Sequence, residues 1–246
     1  SFSSTDYVGH QFGPASIEIE DTYLRLDKDI EDLLNHLDKT VGAGKYTVFL
    51  TADHAVVNVP SYLQSLQIPA HYIDALDFDL YMRNTAKKYF KSAQLIENIS
   101  NFQIYLNQSE IESLQLDYQE VADKLAFEAV KYDGIYKAVT AKTLQNKGFY
   151  SGLLNTLQKG YNQKFSGDVL LVPYPATLTG GRKGTSHGSG YSYDTHVPVL
   201  FYGNGIQQGR SKKKYAITDI APTISNLMQI EAPNGTTGLI ISEALK

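Results

Sequence analysis

Cysteine is absent from the 246 residues of this chain. Disulfides and thiolate metal ligands are therefore both excluded, and any bound metal must be held by Asp, Glu, His, hydroxyl or backbone groups. Also missing is an apolar run near the roughly 20 residues that cross a bilayer. There is no basic excess: 22 Lys and Arg stand against 26 Asp and Glu, for a formal net charge of -4. That balance argues against a general nucleic-acid binder, and the 18 tyrosines lack the basic patches that a base-stacking platform needs. With 42% hydrophobic and 20% charged residues, the composition is that of a folded protein. Its length suits one large domain or two smaller ones. The chain opens at Ser1 without Met, a charged n-region or a signal-like apolar core, and ligand-rich sequence begins within its first residues. Because chain ends fray and hold geometry poorly, the expectation is the C-terminal part of a longer protein.

Residues 1–16 carry Asp6 and His10 in a stretch that Gly9, Gly13 and Pro14 mark as an irregular loop. The pair converges on one ion only if that loop curls back; a surface Asp and a surface His are the plainer reading. Ser16 is a suitable N-cap for a helix over 16–39, whose apolar face runs from Ile17 and Ile19 through Tyr23, Leu26, Ile30 and Leu33 to Leu37. Its acidic start suits the helix dipole; Asp21, Asp27, Asp29 and Asp32 read as a solvated face, and His36 as a surface residue near the last carbonyls. Val41 to Gly44 stops the helix, and Tyr46 to Leu50 reads as a buried strand. That strand delivers Asp53 and His54 side by side at its C-terminal end, where ligands collect in an open α/β sheet. The two side chains offer one hard oxygen and one nitrogen from a single support. A solvated loop pair is an equally open reading at this point.

The middle of the chain predicts a small α+β lobe. Residues 75–98 read as a helix, Phe102 to Leu106 as an alternating strand, and Leu116 to Tyr132 as a second helix. Ile135 to Val139 is a short strand, Ser151 to Tyr161 a helix, and Asp168 to Val172 a strand closed by Pro173. The organisation expected is a doubly wound α/β core over 1–59 and 166–246 with the α+β lobe inserted at 60–165. Residues 174–196 form a long loop rich in Gly, Ser and Thr, of the kind that is functional or disordered; its glycines fit neither phosphate-loop signature. His187 lies within that loop and is the poorer ligand candidate. His196 sits where the loop meets an apolar strand, Val197 to Gly203, and is pinned by it. Arg210 to Lys214 reads as a solvated basic turn. Pro222 is placed in the first turn of a final helix, with Ile224, Leu227 and Met228 facing inward.

Asp6, His10, Asp53, His54 and His196 together make a donor set suited to two zinc-type ions with open positions for substrate. Spacing alone does not bring them together. Resemblance supplies that step. The stretches STDYVGHQFGP (Ser4 to Pro14), IEDTYLRLD (Ile19 to Asp27), TADH (Thr51 to His54), GTSHG (Gly184 to Gly188), YDTHVP (Tyr193 to Pro198) and TDIAPT (Thr218 to Thr223) occur in order along the chain. In them the chain resembles the alkaline phosphatase superfamily, most closely its flavobacterial-type phosphate-monoester phosphatases, near the phosphodiesterase and nucleotide pyrophosphatase branch.

The resemblance implies that Asp6, His10 and His196 hold one Zn2+ and that Asp53 and His54 hold the second, two ions per active site. In that family a further Asp ligand and the Thr or Ser nucleophile come from earlier sequence, so no catalytic nucleophile is expected in this chain and the chain alone is expected to be inactive. Ala55 stands where the family usually places Gly after the Asp-His pair. The implied chemistry is two-metal, in-line phosphoryl transfer from a small-molecule phosphate monoester. A phosphodiesterase or sulfatase-like hydrolase of the same superfamily is the related alternative. A non-catalytic metal-binding protein is the reading if the 246 residues are the whole gene product. The family further implies a periplasmic or secreted protein, while the charge balance and the lack of a long apolar run lead to an expectation of no nucleic-acid or membrane partner. An apolar face left open in such a partial sheet would favour self-association.

Overall fold

The computed structural model describes residues 2–246. In chain order it has α1 (Ser4–Phe12), α2 (Ile17–Leu37), a π-helical turn (Asp38–Gly42) and β1 (Thr47–Thr51). Then come α3 (Pro60–Ser65), β2 (His71–Ile73), α4 (Ala75–Phe90), β3 (Ile96–Ser100), β4 (Gln103–Leu106), α5 (Gln108–Ser113) and α6 (Tyr118–Ala129). The remainder comprises β5 (Ile135–Thr140), α7 (Ala141–Asn146), α8 (Gly152–Gly160), β6 (Val169–Pro173), β7 (Thr177–Thr179), α9 (Ser192–Thr195), β8 (Val199–Gly203) and α10 (Ile220–Met228). The chain divides into two compact units, one formed by residues up to Leu24 with His54–His196, the other by Arg25–Asp53 with Val197–Lys246.

In the first unit, an antiparallel sheet of order β3-β4-β6-β5 forms the centre. Met82, Leu95, Ile96, Ile104, Leu125, Ile135 and Val169, each at most 1% exposed, join the sheet to α4 and α6. Val139, Leu144 and Leu170 form a separate cluster with Phe149, Leu154 and Leu157 from the α7 and α8 region. With apolar clusters drawing on both its faces, β6 is buried at every position, which is why its sequence is an unbroken apolar run and not an alternating one. The helices start where short polar side chains cap them. Asp74 accepts hydrogen bonds from the amides of Leu76 and Asp77, Asn107 from Glu110, and Asp117 from Glu120. A separate parallel pair, β2 with β7, packs Ala176 and Leu178 with Val57 and Ala70.

Several expectations change here. The helix expected over 75–98 ends at Phe90, because Lys91 turns left-handed (φ 68°) and its amide closes on the Lys87 carbonyl. The freed residues form β3, which returns as β4 through Asn101 and Phe102, both at positive φ (49° and 57°), the backbone twist that joins two antiparallel strands tightly. Residues 4–12, expected as loop, are helix α1.

In the second unit, β1 pairs with β8 antiparallel, from Thr47 opposite Gly203 to Thr51 opposite Val199. The Thr47 hydroxyl donates to the Asn204 carbonyl at 2.8 Å and extends the ladder. At the entry to β1 the Tyr46 hydroxyl donates to Asp38 Oδ1 at 2.8 Å; that carboxylate holds the phenol pKa up, at about 12. Thr223 is fully buried. Its hydroxyl donates to the Asp219 carbonyl at 2.6 Å and accepts the Ile241 amide at 2.9 Å. The Asp219 carboxylate receives the Ala216 and Leu239 amides, both at 2.8 Å, so the TDIAPT stretch binds the C-terminal segment to α10. Met228, expected to face inward, is 62% exposed, and Ile220 is buried. The architecture is mixed α/β, as expected. Among the described residues, however, parallel pairing is confined to β2 and β7, and β1 pairs only with β8.

Candidate metal centre

Helix α1 sets the geometry of the site. Asp6 and His10 are four residues apart and so share one helix face, with His10 Nε2 3.3 Å from Asp6 Oδ1. Two further imidazoles aim at the same oxygen: His54 Nε2 and His187 Nε2 each lie 3.6 Å from it. The His54 and His187 rings are stacked, 3.3 Å between centroids and 11° from parallel. His10 stands 5.2 Å from His187 at a 45° tilt.

The protons on these rings are fixed by what the opposite nitrogens touch. His10 Nδ1 lies 2.8 Å from the Thr185 carbonyl and His54 Nδ1 lies 3.1 Å from the Ala55 carbonyl. A carbonyl oxygen only accepts, so both Nδ1 atoms carry hydrogen. In the neutral rings both Nε2 atoms then present lone pairs to Asp6 Oδ1, which is buried and has no hydrogen-bond partner. Lone pairs facing a buried carboxylate oxygen repel unless a cation lies among them. Burial, and then the neighbouring His54, push the His187 pKa below its ordinary value, with Asp6 opposing; the shift favours the neutral, ligand-competent form of that ring.

The donor set and spacing fit zinc. Atoms roughly 2.1 Å from a tetrahedral zinc stand about 3.4 Å apart, and the separations from Asp6 Oδ1 are 3.3 and 3.6 Å. Among the described residues, Asp6, His10 and His187 form a group whose ligand atoms all lie within 4.8 Å of one another.

His196 is not in that group. It is exposed at the C-terminal cap of α9, where its amide closes on the Ser192 carbonyl at 2.9 Å. Asp53 is exposed in the bend after β1, within the second unit. His187, by contrast, is held in place by a loop with many anchors. The Thr185 amide donates to the Gly9 carbonyl at 3.2 Å. Asp194, 4% exposed, receives the Ser189 amide (2.8 Å) and hydroxyl (2.6 Å) on Oδ2, while its carbonyl receives the Ala55 amide at 2.8 Å. Tyr191 donates its hydroxyl to the Pro173 carbonyl at 2.8 Å, and the Tyr193 hydroxyl accepts the Ala176 amide at 3.0 Å. A long loop of the kind that is functional or disordered is therefore tied to α1, β6 and the start of β7. One sequence signal points to His187: GTSHG lies among the six stretches that carry the family resemblance.

Comparison with known proteins agrees with this architecture. The family model for type I phosphodiesterase / nucleotide pyrophosphatase matches residues 1–197. Alkaline phosphatase PhoV of Synechococcus elongatus is 41% identical over 252 residues, covering 100% of this chain and 44% of that protein. Alkaline phosphatase PafA of Elizabethkingia meningoseptica is 37% identical, with 100% of this chain and 45% of PafA aligned. The PafA crystal structure superimposes with a TM-score of 0.92 over 98% of this chain and 46% of that one. A Myroides odoratus protein named calcium-transporting ATPase is 40% identical over 100% of this chain and 45% of its own length. The chain thus spans a little under half the length of these curated relatives. With 197 of its 246 residues matched by the family model, the chain belongs to the type I phosphodiesterase / nucleotide pyrophosphatase family, within the alkaline phosphatase superfamily.

Proposed function

We propose that this chain supplies metal-holding residues to a zinc-dependent hydrolase of small-molecule phosphate monoesters, exported to the periplasm or beyond. One observation carries the reading: three imidazole Nε2 atoms converge on a single buried carboxylate oxygen that has no hydrogen bond. The names of PhoV and PafA, aligned along the whole chain, support the class of reaction. In this reading Asp6, His10 and His187 hold one zinc, with His187 in the place the resemblance gave to His196, and His54 with Asp53 serves the second. When bound, the two ions would activate the nucleophile's hydroxyl and neutralise charge on the leaving-group oxygen. The chain's own residues do the positioning. Asp6 contributes the anionic oxygen, the carbonyls of Thr185 and Ala55 keep Nε2 of His10 and His54 free of hydrogen, and Asp194 with Ser189 steadies the loop that carries His187. The nucleophile and a further Asp ligand lie outside this chain, which is by itself inactive.

Zinc titration of the chain by calorimetry tests the ligand set. The three-ligand site binds more tightly than the site at His54. His187→Ala weakens it by more than about 100-fold, beyond the usual cost of an outer-shell change, while His196→Ala leaves it unchanged. Two equally tight sites, or a loss in His196→Ala with none in His187→Ala, would overturn the assignment. Expression together with flanking coding sequence, followed by assay of a matched monoester, a diester and ATP with and without zinc, tests the reaction. The monoester turns over fastest; a dominant diester or ATP rate would favour the phosphodiesterase / pyrophosphatase chemistry in the family's name.

A further inference from the structure

We propose that Thr185 is the positioning residue of this centre: its hydroxyl, anchored on the Val57 carbonyl, sets the carbonyl that holds His10 as the Nδ1–H tautomer. The inference rests on the metal-site reading above. Thr185 is 5% exposed and uses every polar atom it has. Its amide donates to Gly9 in α1 at 3.2 Å, and its carbonyl accepts His10 Nδ1 at 2.8 Å. Its hydroxyl donates to the Val57 carbonyl, with a longer approach of 3.4 Å to the Ser186 carbonyl. Three segments far apart in sequence thereby meet at one residue. Val57 is itself fixed, packed with Ala70, Ala176 and Leu178.

The chain of cause runs from that apolar cluster to the Val57 carbonyl, then through the Thr185 hydroxyl and carbonyl to His10 Nδ1–H. At its far end stands His10 Nε2, turned toward Asp6 Oδ1. Imidazole ligands are oriented in this way by what their second nitrogen touches. The residue before Thr185 confirms how close the approach is. A Cβ at Gly184, where φ is +75°, would lie 1.9 Å from the His10 carbonyl oxygen. Thr185 touches no reacting atom in this arrangement; it acts through His10.

The test compares Thr185→Val, which keeps the shape and removes the hydroxyl, with Thr185→Ser, which keeps the hydroxyl and removes the methyl. Thr185→Ala is read in parallel, so that a folding failure of one variant does not end the test. Long-range nitrogen-15 spectra of the metal-free chain report the His10 tautomer, with His10→Gln giving the assignment. Parent and Thr185→Ser show a single Nδ1–H form, while Thr185→Val and Thr185→Ala show mixed tautomers. Chelator competition then gives zinc affinity weaker by about 10–100-fold in Val and Ala, and restored in Ser. An unchanged tautomer in the Val and Ala variants overturns the proposal, as does a Ser variant that fails like Val, since packing of the methyl would then be the cause. A parent chain that binds no zinc while its tautomer still responds would sink the metal reading and leave the positioning role standing.

Discussion

The four-stranded lobe and the β1–β8 unit differ sharply in what covers them. In the lobe, Met82, Ala86, Leu95, Ile104, Val121, Leu125, Ala129 and Val169 are all at 0% exposure. In the other unit, no residue from 25 to 53 is buried, and burial is confined to Ile220, Pro222, Thr223, Ser225 and Ile241. Phe49, Leu200 and Tyr202 remain 45%, 57% and 55% exposed although they lie on the paired strands. The strands of both regions are rich in apolar side chains, yet none of the strand positions in the β1–β8 pair is fully buried. A two-stranded ladder with no fully buried position is marginal in water, so the second unit depends on its hydrogen bonds more than the lobe does.

Substitutions can break that contrast, the largest first. Leu125→Ala, in the lobe core, is expected to cost about 2–5 kcal/mol in urea denaturation, whereas Leu200→Ala on β8 stays within about 0.5 kcal/mol. Equal losses would show that the ladder is covered after all. Next, Thr223→Val strips the one fully buried hydroxyl of the second unit of its two hydrogen bonds, at a cost of about 1–3 kcal/mol. Hydrogen exchange would show the loss in the amides of α10 and of Ile241, with β6 untouched; an equal effect on β6 would mean the two units unfold as one.

A smaller effect comes from Glu128, whose side chain is 8% exposed and bridged by Lys124 and Lys131 at 3.1 and 2.9 Å. Hydrogen bonding to Lys131 leads the lowering of its pKa to about 2. A depressed carboxylate pKa stabilises the fold above the unfolded value, and that contribution is lost as pH falls toward the folded value. Glu128→Gln should therefore be less stable than the parent at pH 7, with the gap closing between roughly pH 4 and 2; a gap independent of pH would assign the cost to packing. Least costly to stability is Leu200→Lys, which should leave the unfolding midpoint near the parent's while reducing concentration-dependent mass in light scattering. Self-association that persists in the variant would move its origin away from β8.

The same contrast explains how much was legible in the sequence. Where a segment buries itself locally, as in β6 or α6, periodicity and composition located it to within a few residues. The apolar face of α2 was equally plain, but of its residues only Ile19 is buried, because a pattern names the face and not what covers it. At the site, Gly9 and the Gly13-Pro14 pair masked α1, although the four-residue step from Asp6 to His10 is itself a helical interval. Lys91 and Phe102 adopt left-handed turns that their side chains do not advertise, so the start of β3 reads in sequence as the end of a helix. His187 reads as the poorer ligand in sequence because its anchors are remote. Thr185 meets Val57 128 positions away and His10 175 positions away, and no local window contains either.

Gly184 turns this closeness into a rule for laboratory evolution. Gly181, three positions earlier, has open space where a side chain would grow, while any Cβ at Gly184 would collide with the backbone of α1. A randomised library spanning this loop should accept broad replacement at 181 and return only glycine at 184, whatever substrate drives the selection. Diversity intended to reshape specificity is thus best spent on the tip of the loop, leaving its junction with α1 unaltered.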